Sequence, residues 1–172
     1  MARNIEIKAR VPDLAVVRSV VVRLAAAPGA VVQQMDTFFV VPRGRLKVRE
    51  FADGSGELIA YERPDASGPQ QSIYSLVRCP DARALVRTLA AVLTVRGQVR
   101  KRREVFIVGR TRVHLDEVDR LGSFVELEVV LRDDDRAETG EREARELMET
   151  LSLSPSALVS GAYIDLLERL AG

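Results

Sequence analysis

The chain has 172 residues and a formal net charge of +1, with 47% hydrophobic and 30% charged residues, as expected for one globular domain over residues 1–172. Its apolar stretches are too short to span a membrane and its N-terminus lacks a signal-peptide pattern, so we expect a cytoplasmic protein without membrane contact. Aromatic residues are only 5% of the chain and do not interleave with basic ones, which argues against a nucleic-acid partner.

The first half of the sequence predicts a strand, a helix and four further strands. Residues 4–10 alternate between polar and apolar side chains, which is the two-residue period of a strand. Pro12-Asp13 then begins a helical pattern that ends at Pro28-Gly29. Strand-like segments separated by turn residues follow at residues 31–41, 45–51, 57–63 and 71–77.

The second half predicts a helix, three strands and a helical end. A helix begins at Pro80-Asp81 and runs to about residue 93, and strands follow at residues 98–108, 111–118 and 124–131. A third helix is predicted within residues 133–148, and short helices are predicted within residues 155–170. The order predicts an α+β fold whose neighbouring strands are mostly antiparallel, because the loops are short. We expect one side of the sheet to be closed by Tyr163, Leu166, Leu167 and Leu170.

Lysine is rare in this chain, which contains 23 arginines and only three lysines, at positions 8, 47 and 101. A chain that otherwise uses arginine for its cations keeps lysine where a compact, mobile ammonium group is needed. All three lysines fall in predicted strands next to apolar residues. We therefore treat them as candidates for a functional site.

The predicted strands carry their charges on one face, because alternate residues of a strand point the same way. Some strands present only cations on this face, such as Lys101 and Arg103, whereas the last strand presents Glu126 and Glu128. One interpretation is a solvated charged face, but such faces usually mix the two signs. In contrast, Arg100, Arg102 and Glu104 fall on the opposite face of their strand and are expected to contact solvent.

Eight strands can also close into a barrel, which would turn the ionic face into an interior. A charged interior needs compensating ligands. Arginine and lysine bind phosphate oxygens, and carboxylates bind hard divalent cations, so a triphosphate with Mg²⁺ or Mn²⁺ meets this need. Glu126 and Glu128 could share one ion, with Glu6 and Asp116 as additional ligands.

Five motifs resemble those of the CYTH superfamily of triphosphate tunnel metalloenzymes. They are Asn-Ile-Glu-Ile-Lys at residues 4–8, Gln-Met-Asp-Thr-Phe-Phe at 34–39, Leu-Lys-Val-Arg at 46–49, Lys-Arg-Arg at 101–103, and the pair Arg-Val-His-Leu-Asp-Glu-Val at 112–118 with Phe-Val-Glu-Leu-Glu at 124–128. The chain looks most similar to the bacterial class IV adenylate cyclase branch, which also resembles thiamine triphosphatase.

The resemblance implies an eight-stranded antiparallel closed β-barrel, flanked by helices, that holds a triphosphate in a tunnel. It implies catalytic and phosphate-binding roles for Lys8, Lys47, Arg49, Lys101, Arg103 and Arg112, with Arg63 as a further substrate-binding residue. The position of His114 between Arg112 and Asp116 favours a structural or substrate-binding role over that of a general base. The resemblance implies metal ligands at Glu6, Asp116, Glu126 and Glu128, with Mg²⁺ or Mn²⁺ as the cofactor. The substrate would be ATP, thiamine triphosphate or inorganic tripolyphosphate, and the protein a monomer or homodimer.

The sequence departs from the family signature at Asn4, where a first glutamate is usual. An amide is no base at neutral pH, so a second metal or an activated water is in doubt. Three functions stay open: hydrolysis of the terminal phosphate, cyclisation of ATP to cyclic AMP and pyrophosphate, and binding without turnover as a sensor. Hydrolysis demands least of the site.

Overall fold

The computed structural model describes residues 1–171 and has the predicted α+β architecture. Its elements are β1 (Ala2–Arg10), α1 (Leu14–Leu24), β2 (Ala30–Phe39), β3 (Arg45–Phe51), β4 (Gly56–Glu62), β5 (Gln70–Cys79), α2 (Ala82–Ala90), β6 (Val95–Val108), β7 (Thr111–Val118), β8 (Gly122–Leu131), α3 (Ala137–Thr150), a single 3₁₀ turn (Pro155–Ala157) and α4 (Tyr163–Ala171). None of these helices is both long and apolar enough to cross a membrane.

Two of the helices begin at aspartates that the sequence placed at helix starts. The side chain of Asp13 accepts a hydrogen bond from the backbone N–H of Ala15 at 2.8 Å, and Asp81 accepts one from Ala84 at 2.8 Å. These bonds satisfy N–H groups that have no partner inside the helix. Both aspartates therefore mark the position at which the helix begins.

The eight strands form a closed antiparallel barrel in the order β1-β5-β4-β3-β2-β6-β7-β8. Closure depends on β1, whose two edges pair with β5 and β8. In the β1–β8 ladder, Glu6 lies opposite Glu128 and Lys8 lies opposite Glu126. The prediction of a closed eight-stranded antiparallel barrel flanked by helices is confirmed.

The hydrophobic core lies outside the barrel, between its outer face and the helices. The largest cluster joins α1 and α3 to the outward side chains of β1, β7 and β8, such as Ile5, Val113 and Leu127. A smaller cluster joins α2 to β3 and β4. The apolar side chains that alternate with the charged ones are thus covered by helices, which leaves the charged ones to face inward.

One end of the barrel is closed by α4 and the segment before it. Tyr163, Leu166 and Leu167 are buried against Phe38, Val99 and Phe124, as the sequence predicted for these three residues. Leu170 is 60% exposed, so its predicted place in this contact is wrong. The backbone N–H of Val159 donates to the carbonyl of Lys8 at 2.9 Å, which ties the segment to β1.

The prediction of a solvated Glu104 is also wrong. Its carboxylate is buried and accepts hydrogen bonds from Arg18 of α1 at 2.9–3.1 Å. Arg100 and Arg102 on the same face are exposed, as expected. Glu104 differs because α1 packs across its end of β6 and brings a cation to it.

Candidate active site

A cavity of about 390 Å³ runs inside the barrel and is lined by side chains from all eight strands. Seven lysine and arginine side chains and five aspartate and glutamate side chains line it, so the lining carries a net charge of +2 with His114 neutral. The strands therefore bring their charged faces together around one space. An interior of this kind favours a ligand with several negative charges.

The structure places almost every predicted site residue on this cavity. All seven predicted cations line it: Lys8, Lys47, Arg49, Arg63, Lys101, Arg103 and Arg112. His114 and three predicted metal ligands, Glu6, Glu126 and Glu128, line it as well. The exception is Asp116, which lies behind the cavity wall and is fully buried.

Asp116 holds Arg103 in place from behind the cavity wall, and its role as a metal ligand stays a prediction. Its two oxygens accept from Nε and Nη2 of Arg103 at 2.7 and 2.5 Å, and Oδ2 also accepts from the Tyr163 hydroxyl at 2.9 Å. These bonds direct the carboxylate toward Arg103 and Tyr163 and away from the cavity. Arg103 in turn contacts Glu126, so Asp116 fixes the guanidinium that faces the cavity.

Asp36 lies on the part of the cavity wall formed by β2, β3 and β6. The sequence analysis assigned no role to this residue. Its oxygens accept from Lys47 Nζ at 2.8 Å, from Arg49 Nε at 2.8 Å and Nη2 at 3.1 Å, and from Lys101 Nζ at 3.3 Å. These cations hold the pKa of Asp36 well below its ordinary value, although burial alone would raise it. One carboxylate thus positions three cations.

A signal for Asp36 exists in the sequence. The alternation of β2 puts Asp36 on the same face as Gln34, and the short turn to β3 sets it opposite Arg49. A single carboxylate on such a face, directly opposite an arginine, indicates a positioning role. Five other polar side chains of the lining were not singled out either: Gln34, Glu57, Tyr61, Ser72 and Tyr74.

Lys8 and Arg63 meet at the end of the cavity that α4 closes. Both donate to the carbonyl oxygen of Gly161, Lys8 Nζ at 3.0 Å and Arg63 Nη2 at 2.9 Å. Arg63 also contacts Glu6, and Lys8 Nζ lies 3.2 Å from Glu126 and 4.0 Å from the ring centroid of Tyr163. The segment before α4 therefore supplies one acceptor to two cations of the cavity.

The pKa values of the three lysines in the cavity are lower than the ordinary value for lysine. Burial lowers the pKa of Lys8, and burial together with the neighbouring arginines lowers the pKa of Lys101. The same causes, burial first and then Arg49, lower the pKa of Lys47 to about 7. An anion bound among these ammonium groups would reverse the effect, so their charged forms favour its binding.

The residues that could hold a metal are on the wall formed by β7 and β8. His114, Glu126 and Glu128 each offer one ligand atom, and these three atoms lie within 4.8 Å of one another. Nδ1 of His114 is buried without a hydrogen-bond partner. Two carboxylates and an imidazole are a donor set that divalent cations accept, so the residues present fit the ion.

Comparison with known proteins agrees with this geometry. Residues 2–163 match the CYTH domain family, whereas no curated protein matches the chain. A Pyrococcus horikoshii protein superposes with a TM-score of 0.83 at 22% identity, covering 95% of this chain and 98% of its own.

Two further structures share the fold at similarly low sequence identity. A candidate adenylate cyclase from Vibrio parahaemolyticus has a TM-score of 0.78 at 22% identity, with 96% of this chain and 97% of its own covered. A candidate adenylyl cyclase from Hippeastrum with a dominant triphosphatase activity has a TM-score of 0.66 at 17% identity, with 98% and 96% covered. Identities this low show the fold alone. The family match, which spans nearly the whole chain, shows more: this protein belongs to the CYTH domain family.

Proposed function

We propose that this protein is a divalent-metal-dependent enzyme that hydrolyses the terminal phosphate of a triphosphate held inside the barrel. The observation that carries the proposal is the cavity lining, where seven cations outnumber five carboxylates in a buried space. Membership of the CYTH domain family and the triphosphatase activity of the Hippeastrum protein support it. The substrate class covers ATP, thiamine triphosphate and inorganic tripolyphosphate.

The phosphate chain would be bound from two sides of the cavity. On one side are Lys47, Arg49 and Lys101, positioned by Asp36. On the other are Lys8, Arg63, Arg103 and Arg112. Because the two sides belong to different strands of a closed barrel, their spacing is rigid, and the cations need little rearrangement when charge develops on the phosphate.

Hydrolysis breaks the bond between the terminal phosphorus and the bridging oxygen, while a water oxygen forms the new bond and its proton passes to a phosphate oxygen or to solvent. The lysines and arginines stabilise the charge on the phosphoryl oxygens. A metal held by Glu126 and Glu128, with Glu6 opposite Glu128 as the next carboxylate, would neutralise further charge on these oxygens. We propose Mg²⁺ or Mn²⁺ for this role.

Cyclisation of ATP is the second candidate, and Asn4 favours it. Asn4 is buried on the cavity wall, and its Oδ1 has no hydrogen-bond partner. An amide at this position cannot deprotonate a water, which removes one route to hydrolysis. In cyclisation the ribose 3′-oxygen attacks the α-phosphorus, pyrophosphate leaves, and the hydroxyl proton passes to a phosphate oxygen or to solvent. The Vibrio parahaemolyticus neighbour is consistent with this alternative.

Turnover assays separate these functions from a sensor that binds without reaction. Purified protein is incubated with tripolyphosphate, thiamine triphosphate or ATP under Mg²⁺ or Mn²⁺, and both phosphate release and cyclic AMP are measured. We expect phosphate release, and we expect it to disappear in Lys101→Met. Cyclic AMP with pyrophosphate would identify the cyclase, and tight binding with neither product would identify the sensor.

A further inference from the structure

The ring nitrogen Nδ1 of His114 lies between two carboxylates but forms a hydrogen bond with neither. This atom is 3.7 Å from Oε2 of Glu126 and 3.7 Å from Oε1 of Glu128. Both distances exceed those of hydrogen bonds, and this nitrogen is buried without a partner. A buried polar atom left unpaired costs free energy, and a cation bound by these three groups would remove that cost.

The barrel itself holds the three side chains in this arrangement. In the β7–β8 ladder His114 is directly opposite Glu126, and Arg112 is directly opposite Glu128. Nε and Nη2 of Arg112 lie 2.9 and 2.8 Å from Oε2 of Glu128. The other oxygen of Glu128, Oε1, faces His114. Each donor therefore comes from the middle of a paired strand, where little movement is possible.

The other two predicted metal ligands, Asp116 and Glu6, lie outside this group. Asp116 gives both oxygens to Arg103 and Tyr163, and Glu6 contacts Arg63. Neither belongs to the compact group of His114, Glu126 and Glu128. Glu126 also contacts Lys8 and Arg103, and Glu128 contacts Arg112. Nδ1 of His114, by contrast, has no hydrogen-bond partner and lies within 4.8 Å of an oxygen of each glutamate.

We infer that Nδ1 of His114 completes a divalent-metal site with Glu126 and Glu128. The inference rests on the metal dependence of the proposed function and adds to it the choice of ion. Metal bonds of about 2.0–2.2 Å put neighbouring ligand atoms roughly 3–3.5 Å apart. Small side-chain rotations would bring the present 3.7 Å separations into that range.

An imidazole changes which ion the site prefers. Mg²⁺ binds oxygen ligands almost exclusively, whereas first-row transition ions such as Mn²⁺ and Zn²⁺ also accept imidazole nitrogen. A site with one nitrogen and two carboxylates therefore binds Mn²⁺ and Zn²⁺ more tightly than Mg²⁺. It also remains a metal site with Asn4 in place of a carboxylate.

The test uses the fact that the chain has a single histidine. Protein labelled with ¹⁵N-histidine gives ring-nitrogen resonances from His114 alone. We expect ZnCl₂ to shift the Nδ1 resonance until one equivalent has bound, and MgCl₂ at the same concentration to leave it in place. With MnCl₂, pulsed electron paramagnetic resonance should detect a ¹⁴N nucleus coupled to the ion.

Variants give the matching affinities by calorimetry. We expect His114→Gln to weaken Mn²⁺ binding by about tenfold or more, since loss of a supporting residue alone costs about 10–100-fold. Mg²⁺ binding should weaken less. Glu57→Gln is the control, because Glu57 lines the same cavity on β4, across the barrel from the group. It should change Mn²⁺ affinity by less than about threefold.

Two results would overturn the inference while leaving the proposed function standing: Zn²⁺ binding with an unmoved Nδ1 resonance, or unchanged Mn²⁺ affinity in His114→Gln. Absence of binding by any of the three ions would overturn both the inference and the metal dependence. Tripolyphosphate binding in EDTA tests the cationic cavity separately, so failure of the metal site and failure of the triphosphate site are distinguishable.

Discussion

Replacement of Asp36 by asparagine tests whether one buried carboxylate positions the cations of the cavity. Asp36 is 1% exposed and holds Lys47, Arg49 and Lys101. Removing its charge leaves three buried cations facing one another, and breaking a buried ion pair costs about 3–5 kcal/mol. For a domain of this size each kcal/mol lowers the Tm by roughly 2–4 °C, so we expect a fall of roughly 6–20 °C.

The control is Glu50→Gln on the outer face of β3, the strand that carries Lys47 and Arg49. Glu50 accepts from Arg83 at 2.7 Å, and although the Glu50 side chain is only 9% exposed, that of Arg83 is 74% exposed, so water solvates the guanidinium when the bond is lost. We expect this variant to lose about 1 kcal/mol or less. Differential scanning calorimetry of both variants at pH 7 makes the comparison. Equal Tm values for the two variants would refute the reasoning.

The pH dependence of the difference has a defined sign. The pKa of Asp36 is lowered in the folded state by its three cations. Its stabilisation is therefore present above the unfolded pKa of about 3.9 and is lost as the pH falls through the folded pKa. The Tm difference between wild type and Asp36→Asn should therefore shrink below about pH 4.

Kinetics distinguish positioning from simple loss of fold. Asp36→Asn makes the cavity more positive, so we expect tripolyphosphate to bind at least as tightly as in the wild type. Misplaced cations should still lower kcat by about 10²-fold, which is the cost of an error of about 1 Å in a catalytic constellation. A variant with weaker binding and an unchanged kcat would contradict a positioning role.

Further predictions concern pH, the departure from the family signature and packing. Because the pKa of Lys47 is about 7 in the free protein and a bound polyanion raises it, tripolyphosphate affinity should fall above pH 7, by up to about tenfold per pH unit. Calorimetry in buffers of different ionisation enthalpy should detect the proton taken up, and Lys47→Met should reduce it. Asn4→Glu should raise phosphate release by about 10²-fold if a general base is restored, and an unchanged rate would show that Asn4 is no defect. In Gly56→Ala the new Cβ would lie 2.1 Å from the carbonyl oxygen of Arg49, so urea unfolding should show a loss of about 3 kcal/mol.

Much of the site can be predicted from the sequence, because strand alternation and the family motifs both act locally. Alternation placed Lys47 and Arg49 on one face, and in the structure both line the cavity. Asp36 was missed although it lies on such a face, because its importance depends on Lys101 from β6, which the chain brings near only when the barrel closes.

The sequence by itself determined the α+β class, the strand and helix order and the side of each strand that carries charge. These follow from a period of two residues and from caps and turns that involve neighbours in the chain. Only the tertiary structure decided which charges pair. Glu104 is buried because α1 brings Arg18 to it, and Asp116 is bound by Arg103 and Tyr163. Such pairings join residues distant in the chain, so their distances depend on barrel closure and helix docking, which no local pattern encodes.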